Sequence, residues 1–166
     1  MQSDEIEREL REPGAQELLT SAALLRLAYE GRDGTPRVIP IGFLWTGTRI
    51  VVCTSTTSPK GRAIRERPQV AVTIDVGASP ADARSLLLRG VAETETVDGI
   101  PTEYIDAARK TMRPDEIAGF EAAVRGMYPQ MVRISITPTW ARYYDFGAGR
   151  LPATLQALAD RAAGRD

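Results

Sequence analysis

Between Cys53 and Val72 the chain reads CTSTTSPKGRAIRERPQVAV, which sets Thr54, Ser55, Thr56, Thr57 and Ser58 directly before a proline and the cations Lys60 and Arg62. Hydroxyls and cations gathered where an apolar run gives way to a helix-like run suit two purposes. One is an ordinary helix start, with Ser58 as the cap and Pro59 at the first helical position. The other is a phosphate site. With Ser58 as N-cap, Gly61 falls on the third helical position, where a capping box would carry Glu or Gln. No carboxylate then competes for the exposed amides, and the positive end of the helix dipole, Lys60 and Arg62 favour an anion while the hydroxyls offer hydrogen bonds. Local chemistry leaves both readings open.

Few other residues carry chemistry. Arg37 opens a strand-like run and, by period-two alternation, shares a face with Ile39, Ile41, Phe43 and Trp45. It can reach the same anion, or end the strand with its head in water. Phe43 and Trp45 suit either ring stacking or a core. Tyr143 and Tyr144 are the side chains best suited to donate a proton, with a structural role as the alternative; no other catalytic residue is assigned. Cys53 lies in the apolar run RIVVCTS and reads as a packed strand residue. The chain has no histidine, which removes Ser-His-Asp and Cys-His catalysis and the commonest zinc, iron and haem ligands. The acidic residues Asp82, Glu93, Glu95, Asp98 and Glu103 lack a fixed ligand spacing and read as a solvated face, so no metal site is expected. Gly147-Ala148-Gly149 is no dinucleotide fingerprint, because Pro152 stands where a third glycine is required.

The elements that must hold these residues follow from pattern and punctuation. Residues 3–10 and 14–20 read as short helices, with Ser3 as a cap and Pro13 between them. Strand patterns follow at 22–29, 36–45 and 49–55, joined by short turns and read as a three-stranded meander. A short helix over PKGRAIRER ends before Pro68, since the residue preceding a proline disfavours helical geometry. Residues 69–76 alternate Val70, Val72, Ile74 and Val76 on one face, and 84–97 form an apolar strand expected to be buried on both faces, with Gly90 marking a bulge or a close approach. A helical insertion spans about 101–127, a long strand covers 130–146, and a terminal helix covers about 151–164. Six strands with short connections predict a mainly β fold, a small antiparallel barrel with peripheral helices. A parallel doubly wound sheet is disfavoured, because the turns are too short for crossover helices.

Composition bounds the rest. A chain of 166 residues, 43% hydrophobic, reads as one domain spanning 1–166. Its formal charge of −1 gives no basic excess for nucleic acid, and its 6% aromatic content argues against an oligonucleotide-binding barrel built on KGRAIRER. No apolar run approaches the roughly 20 residues needed to cross a bilayer, and the first ten residues are acidic and polar, so no membrane partner and a cytoplasmic location are expected.

Taken in order, four stretches resemble the pyridoxamine 5'-phosphate oxidase-like superfamily of flavin and deazaflavin oxidoreductases. RVIPIG is similar to its Arg-led cofactor strand, TSTTSPK to its Thr-Asn-x-x-Ser-Arg-Lys segment, Pro68 lies eight residues after Lys60, and RSLLLRG is similar to its Arg-Gln-x-x-x-x-Gly strand. The resemblance implies a six-stranded split β-barrel of the FMN-binding type. It implies that Arg37, Thr54, Ser55, Ser58 and Lys60 hold a cofactor phosphate, that the backbone at Val38 and Ile39, with Pro40, lines the ring, and that Ser85 takes the place of a residue that approaches it. FMN is the implied cofactor, with the deazaflavin coenzyme F-420 as the alternative. A homodimer with the cofactor at the subunit interface, exchanging a hydride with a small organic substrate, is the implied function; a non-catalytic flavin-binding or storage module is its rival. Pro59 stands where the family has arginine, Ser85 where it has glutamine, and no histidine is present for a second phosphate pocket.

Overall fold

The computed structural model describes residues 1–164, within which one antiparallel sheet carries the architecture. Helices α1 (Ser3–Arg11) and α2 (Pro13–Ser21) lead into β1 (Leu24–Glu30), β2 (Pro36–Gly42), β3 (Leu44–Trp45) and β4 (Ile50–Ser55). Helix α3 (Pro59–Glu66) precedes β5 (Gln69–Val76) and β6 (Arg84–Asp98). Helices α4 (Thr102–Arg109) and α5 (Pro114–Met127) form the insertion before β7 (Gln130–Asp145), and α6 (Ala153–Ala162) follows.

The strand order is β2-β1-β5-β6-β7-β4-β3, every pairing antiparallel. The sheet does not close: β2 and β4 approach each other but share no ladder, so the barrel is split between its two ends. The fold is therefore the mainly β split barrel that the sequence implies, with two departures inside it. The stretch 36–45, expected as one strand, breaks at Phe43, which is fully buried, and the sheet counts seven strands rather than six. The bend carries the chain from one end of the sheet to the other. The expected meander is accordingly absent, because β4 pairs with β7 and β3 instead of β2.

Burial corrects a second expectation. Along β6 the buried residues alternate, Leu86 and Leu88 inward and Arg89 and Val91 outward, so that strand is covered on one face only. The strand buried on both faces is β4: Ile50 and Val52 join the main core, while Val51 and Cys53 join a second cluster with Ile105, Ile117 and Met131. The insertion explains this, since α4 and α5 cover the outer side of β4. Helix α2 fills the barrel from the other side with Ala15, Leu18 and Leu19. At Gly90 both readings hold together. The β6–β7 register shifts between Arg89 and Gly90, and a Cβ at Gly90 would lie 2.6 Å from the Thr137 carbonyl oxygen. Helix α1 is capped by Gln2 with Glu5, not by Ser3.

Candidate functional site

Helix α3 starts where the sequence places it, with Ser58 extended at the N-cap (φ −68°, ψ 129°) and Pro59 at the first position. Its cap is unlike an ordinary one. The Ser58 hydroxyl makes no hydrogen bond to the helix amides and accepts one from Lys60 Nζ at 2.7 Å. Lys60 Nζ donates a second to Thr54 Oγ1 at 3.0 Å, from the end of β4. The turn between β4 and α3 is held by Ser55, whose hydroxyl meets Thr57 Oγ1 at 2.7 Å and accepts from the Thr57 amide at 3.2 Å. Lys60 is half-buried, and among the described residues no carboxylate pairs with it. Burial alone pushes its pKa below the usual lysine value. This cation is drawn partly out of water and given only neutral oxygens, with no counter-charge among the described residues.

Lys60 stands at one end of a groove of about 770 Å³ that lies across the split in the barrel. Residues Ile39–Gly42 of β2 form one wall, and Cys53–Ser55 of β4 with the start of α3 form the other. Tyr104 of α4, with Tyr128 and Met131, completes the lining. The Cys53 thiol is pushed up to about 12 by burial and then by the Glu103 carboxylate, so it stays protonated. The Tyr104 phenol is also pushed up, chiefly by burial, then by Tyr128 and Cys53.

The groove thus brings together Ile39, Pro40, Thr54, Ser55, Ser58 and Lys60. Three other named residues lie elsewhere in the chain. Arg37 is engaged in the β1–β2 turn, where its guanidinium bonds Asp33 Oδ2 at 2.7 Å and the Thr35 hydroxyl, and Asp33 is held down to about 2 by Thr35 and then Arg37. It lines a separate cleft of about 260 Å³ with Pro59 and Ala63 of α3. Val38 points outward and is 65% exposed. Ser85 sits near the start of β6, opposite Tyr144 of β7 and Asp75 of β5. Tyr143 is no proton donor to the groove: it is buried and its hydroxyl donates to Asp145 Oδ2 at 3.0 Å. Tyr144, its neighbour on β7, is likewise absent from the groove lining. Tyr104 and Tyr128 were not foreseen, because Tyr104 lies in α4 and Tyr128 just after α5, and only the tertiary fold defines where that insertion docks. Among the described residues no three His, Cys, Asp or Glu side chains are placed to hold a metal, and no helix is long and apolar enough to cross a membrane.

A half-open barrel with a cationic cradle at the split defines a class, and comparison with known proteins agrees. Residues 12–145 match the pyridoxamine 5'-phosphate oxidase family, and the chain belongs to it. No curated protein sequence matches it. Among solved structures it is similar to the conserved hypothetical protein Rv2991 of Mycobacterium tuberculosis, with 21% identity and a TM-score of 0.64 over 92% of this chain and 89% of that one. It is also similar to an F420 reductase, with 26% identity and a TM-score of 0.53 over 78% of this chain and 97% of the other. The heme storage protein HutZ of Vibrio cholerae shares the fold at 18% identity, a TM-score of 0.55, and coverage of 81% and 93%.

Proposed function

We propose that the groove binds a phosphate-bearing flavin-type cofactor, FMN or the deazaflavin F-420, and that the protein is an oxidoreductase acting on a small organic substrate. The observation that carries this reading is Lys60: a half-buried ammonium at a helix start, held by the Thr54 and Ser58 hydroxyls and lacking a carboxylate partner among the described residues. Lys60, with the hydroxyls of Ser55, Thr57 and Ser58, holds the phosphate, and the α3 amides add to it. The β2 segment Ile39–Gly42 orients the ring, with Pro40 offering a wall that has no amide donor. When bound, such a cofactor supplies hydride transfer. The chain's own part is to fix orientation and exclude water, and to hold a proton on the Tyr104 hydroxyl, which burial keeps neutral. The similarity to an F420 reductase supports the deazaflavin arm.

We propose further that a second copy covers the outer face of β2, β1, β5 and β6. There Ala28 pairs with Val38 and Ala71, and Val38 and Val91 remain exposed. These apolar residues, set among the charged Arg26, Asp75 and Arg89, suit a mixed subunit interface, and a partner is what would complete a site whose Arg37, Val38 and Ser85 lie outside the groove of their own chain.

One feature favours the non-catalytic alternative. No carboxylate or imidazole lines the groove, so acid-base work falls to Tyr104, Tyr128 and Lys60. Cofactor binding without turnover of any nicotinamide, quinone or enone would select the storage reading. The test of the proposal itself is calorimetric titration with FMN, F-420 and riboflavin. A phosphorylated ligand is expected to bind more tightly than riboflavin, and equal affinities, or no binding of any, would refute the cradle.

A further inference from the structure

Beside the groove lies a second, smaller chamber of about 230 Å³, a half-open recess between α4 and the outer side of β4. It opens into the groove, since Leu24, Ile41, Gly42, Cys53 and Tyr104 line both. We infer that this chamber is a binding site for an uncharged, single-ring compound carrying a carbonyl, and that such a compound is the substrate class presented to the groove.

Size comes first. An apolar protein cavity of about 150 Å³ takes up benzene, so a recess of about 230 Å³ has room for one substituted ring. The walls favour apolar contents: Val51 and Ile41 come from the strands, Ala107 and Ala108 from α4, and Phe120 from α5. Burial of an aromatic ring against such a lining is favourable without any specific polar contact.

The polar inventory sets the charge. The Glu103 carboxylate is bound to Arg133 at 3.1 Å, and the Thr111 hydroxyl donates to the Ala108 carbonyl at 3.3 Å. No cation lines the chamber, and the one formal charge on its wall is the Glu103 carboxylate, so a carboxylate or phosphate ligand would find no counter-charge to offset its desolvation. The Cys53 thiol is protonated and offers no nucleophile. What remains is the Tyr104 phenol, which has no hydrogen-bond partner among the described residues and is fixed by stacking on Phe120, with ring centroids 5.9 Å apart at 22°. A neutral phenol at the mouth donates to a carbonyl oxygen. It also sits where chamber and groove meet, so the carbonyl it orients is the group turned toward the groove.

The two α4 alanines decide whether the space exists. Both are half-buried, and a larger side chain at either fills the chamber from the helix side without touching Lys60 or the α3 start.

The role as substrate site rests on the flavin reading of the groove; the chamber's ligand preference does not. The test is ¹⁹F NMR titration of the full-length protein with 4-fluoroacetophenone and with 4-fluorobenzoate, alongside an independent FMN titration. The ketone is expected to bind and the benzoate not. Ala108→Phe should abolish ketone binding and Ala107→Leu should weaken it, both leaving FMN affinity unchanged. Tyr104→Phe should weaken it about two- to tenfold, the loss of one neutral hydrogen bond. Ketone binding that is indifferent to both α4 substitutions, equal binding of the benzoate, or no ketone binding would each overturn the inference. FMN binding without ketone binding would refute the chamber and leave the cofactor reading standing; the reverse would refute the cofactor reading and retain the chamber.

Discussion

Replacing Lys60 with alanine separates the phosphate from everything else the groove offers. The substitution removes an ammonium that spends two of its three donors on Thr54 and Ser58, at 3.0 and 2.7 Å, and leaves the third for the ligand. A charge-assisted hydrogen bond contributes about 1.5 to 3 kcal/mol, so FMN affinity should fall about 10- to 150-fold. Riboflavin lacks the phosphate and should lose far less. The unliganded protein should lose little stability, because removing a half-buried cation also removes its desolvation cost and Ser58 can bond water, although the buried Thr54 hydroxyl loses a donor. The pH dependence follows from the same burial. The lowered pKa means that the ammonium needed for binding is lost earlier on the alkaline side than an ordinary lysine's would be, so FMN affinity should decline with rising pH before riboflavin affinity does. Calorimetry with both ligands, at low and high salt, reads all of this. Equal losses for FMN and riboflavin would show that Lys60 is not a phosphate ligand, and unchanged affinity for both would return Ser58-Pro59 to the status of a plain helix start.

Four further outcomes are expected. Glu9→Gln should cost about 1.5 to 3 kcal/mol in urea unfolding, because burial of the Glu9 carboxylate is more than offset by the Tyr143 amide, Arg150 and Arg142, which together lower its pKa. Its contribution is present above the ordinary carboxylate range and is lost as pH falls through the depressed value, so the variant should flatten the acid limb of the stability curve. Lys110 lies 3.6 Å over the Phe43 ring and donates to the Leu19 and Ala22 carbonyls, yet burial pushes it down to about 8. The folded lysine therefore loses its proton before the unfolded one does. Stability gains from this residue as pH rises from about 8 toward its usual value, and Lys110→Met should remove that gain in melting temperatures taken across the range. Gly90→Ala should destabilise by about 1 to 3 kcal/mol in denaturant titration, since its Cβ would fall 2.6 Å from the Thr137 carbonyl oxygen and 2.7 Å from Ile136 Cγ2. Val91→Glu should halve the mass seen by light scattering if the outer sheet face is the subunit interface, and an unchanged dimer would move the interface elsewhere.

How much of this was legible in the sequence depended on the range of the interactions involved. Local signals carried well: Ser58-Pro59 marks the start of α3, Pro68 its limit, Pro101 and Pro114 the insertion helices, and Gly90 the irregularity in β6. The cradle was legible for the same reason, since Thr54, Ser58 and Lys60 lie within seven consecutive residues and one turn of chain brings them together. What failed was non-local. The apolar run at 84–97 and the run at 50–54 look alike in a single sequence, and only the docking of α4 and α5 decides that β4 is the strand covered on both faces. The break at Phe43 has no proline or left-handed residue to announce it. It exists because Phe43 occupies the core between α2 and Lys110, a fact about neighbours many residues away.

That break is also what creates the site. Strand β2 ends the sheet on one side, so the edge of Pro36–Gly42 away from β1 has no strand partner among the described residues. In most sheets such an edge invites pairing with another chain and is blunted. Here Pro40 removes one donor from it, and the chain that leaves it turns at Phe43 to build β4 as the opposite wall. Had residues 36–45 continued as one strand hydrogen-bonded to 50–55, the barrel would close and the space lined by Lys60 and Tyr104 would vanish. The split therefore does two things at once: it leaves the outer edge of β2 without a strand partner, and it brings the start of α3 to the same opening. The insertion then sets what else can enter, because α4 supplies Tyr104 to the groove and Ala107 and Ala108 to the chamber behind it. On the proposed reading, phosphate recognition rests with β4 and the start of α3, and selectivity with the insertion helices.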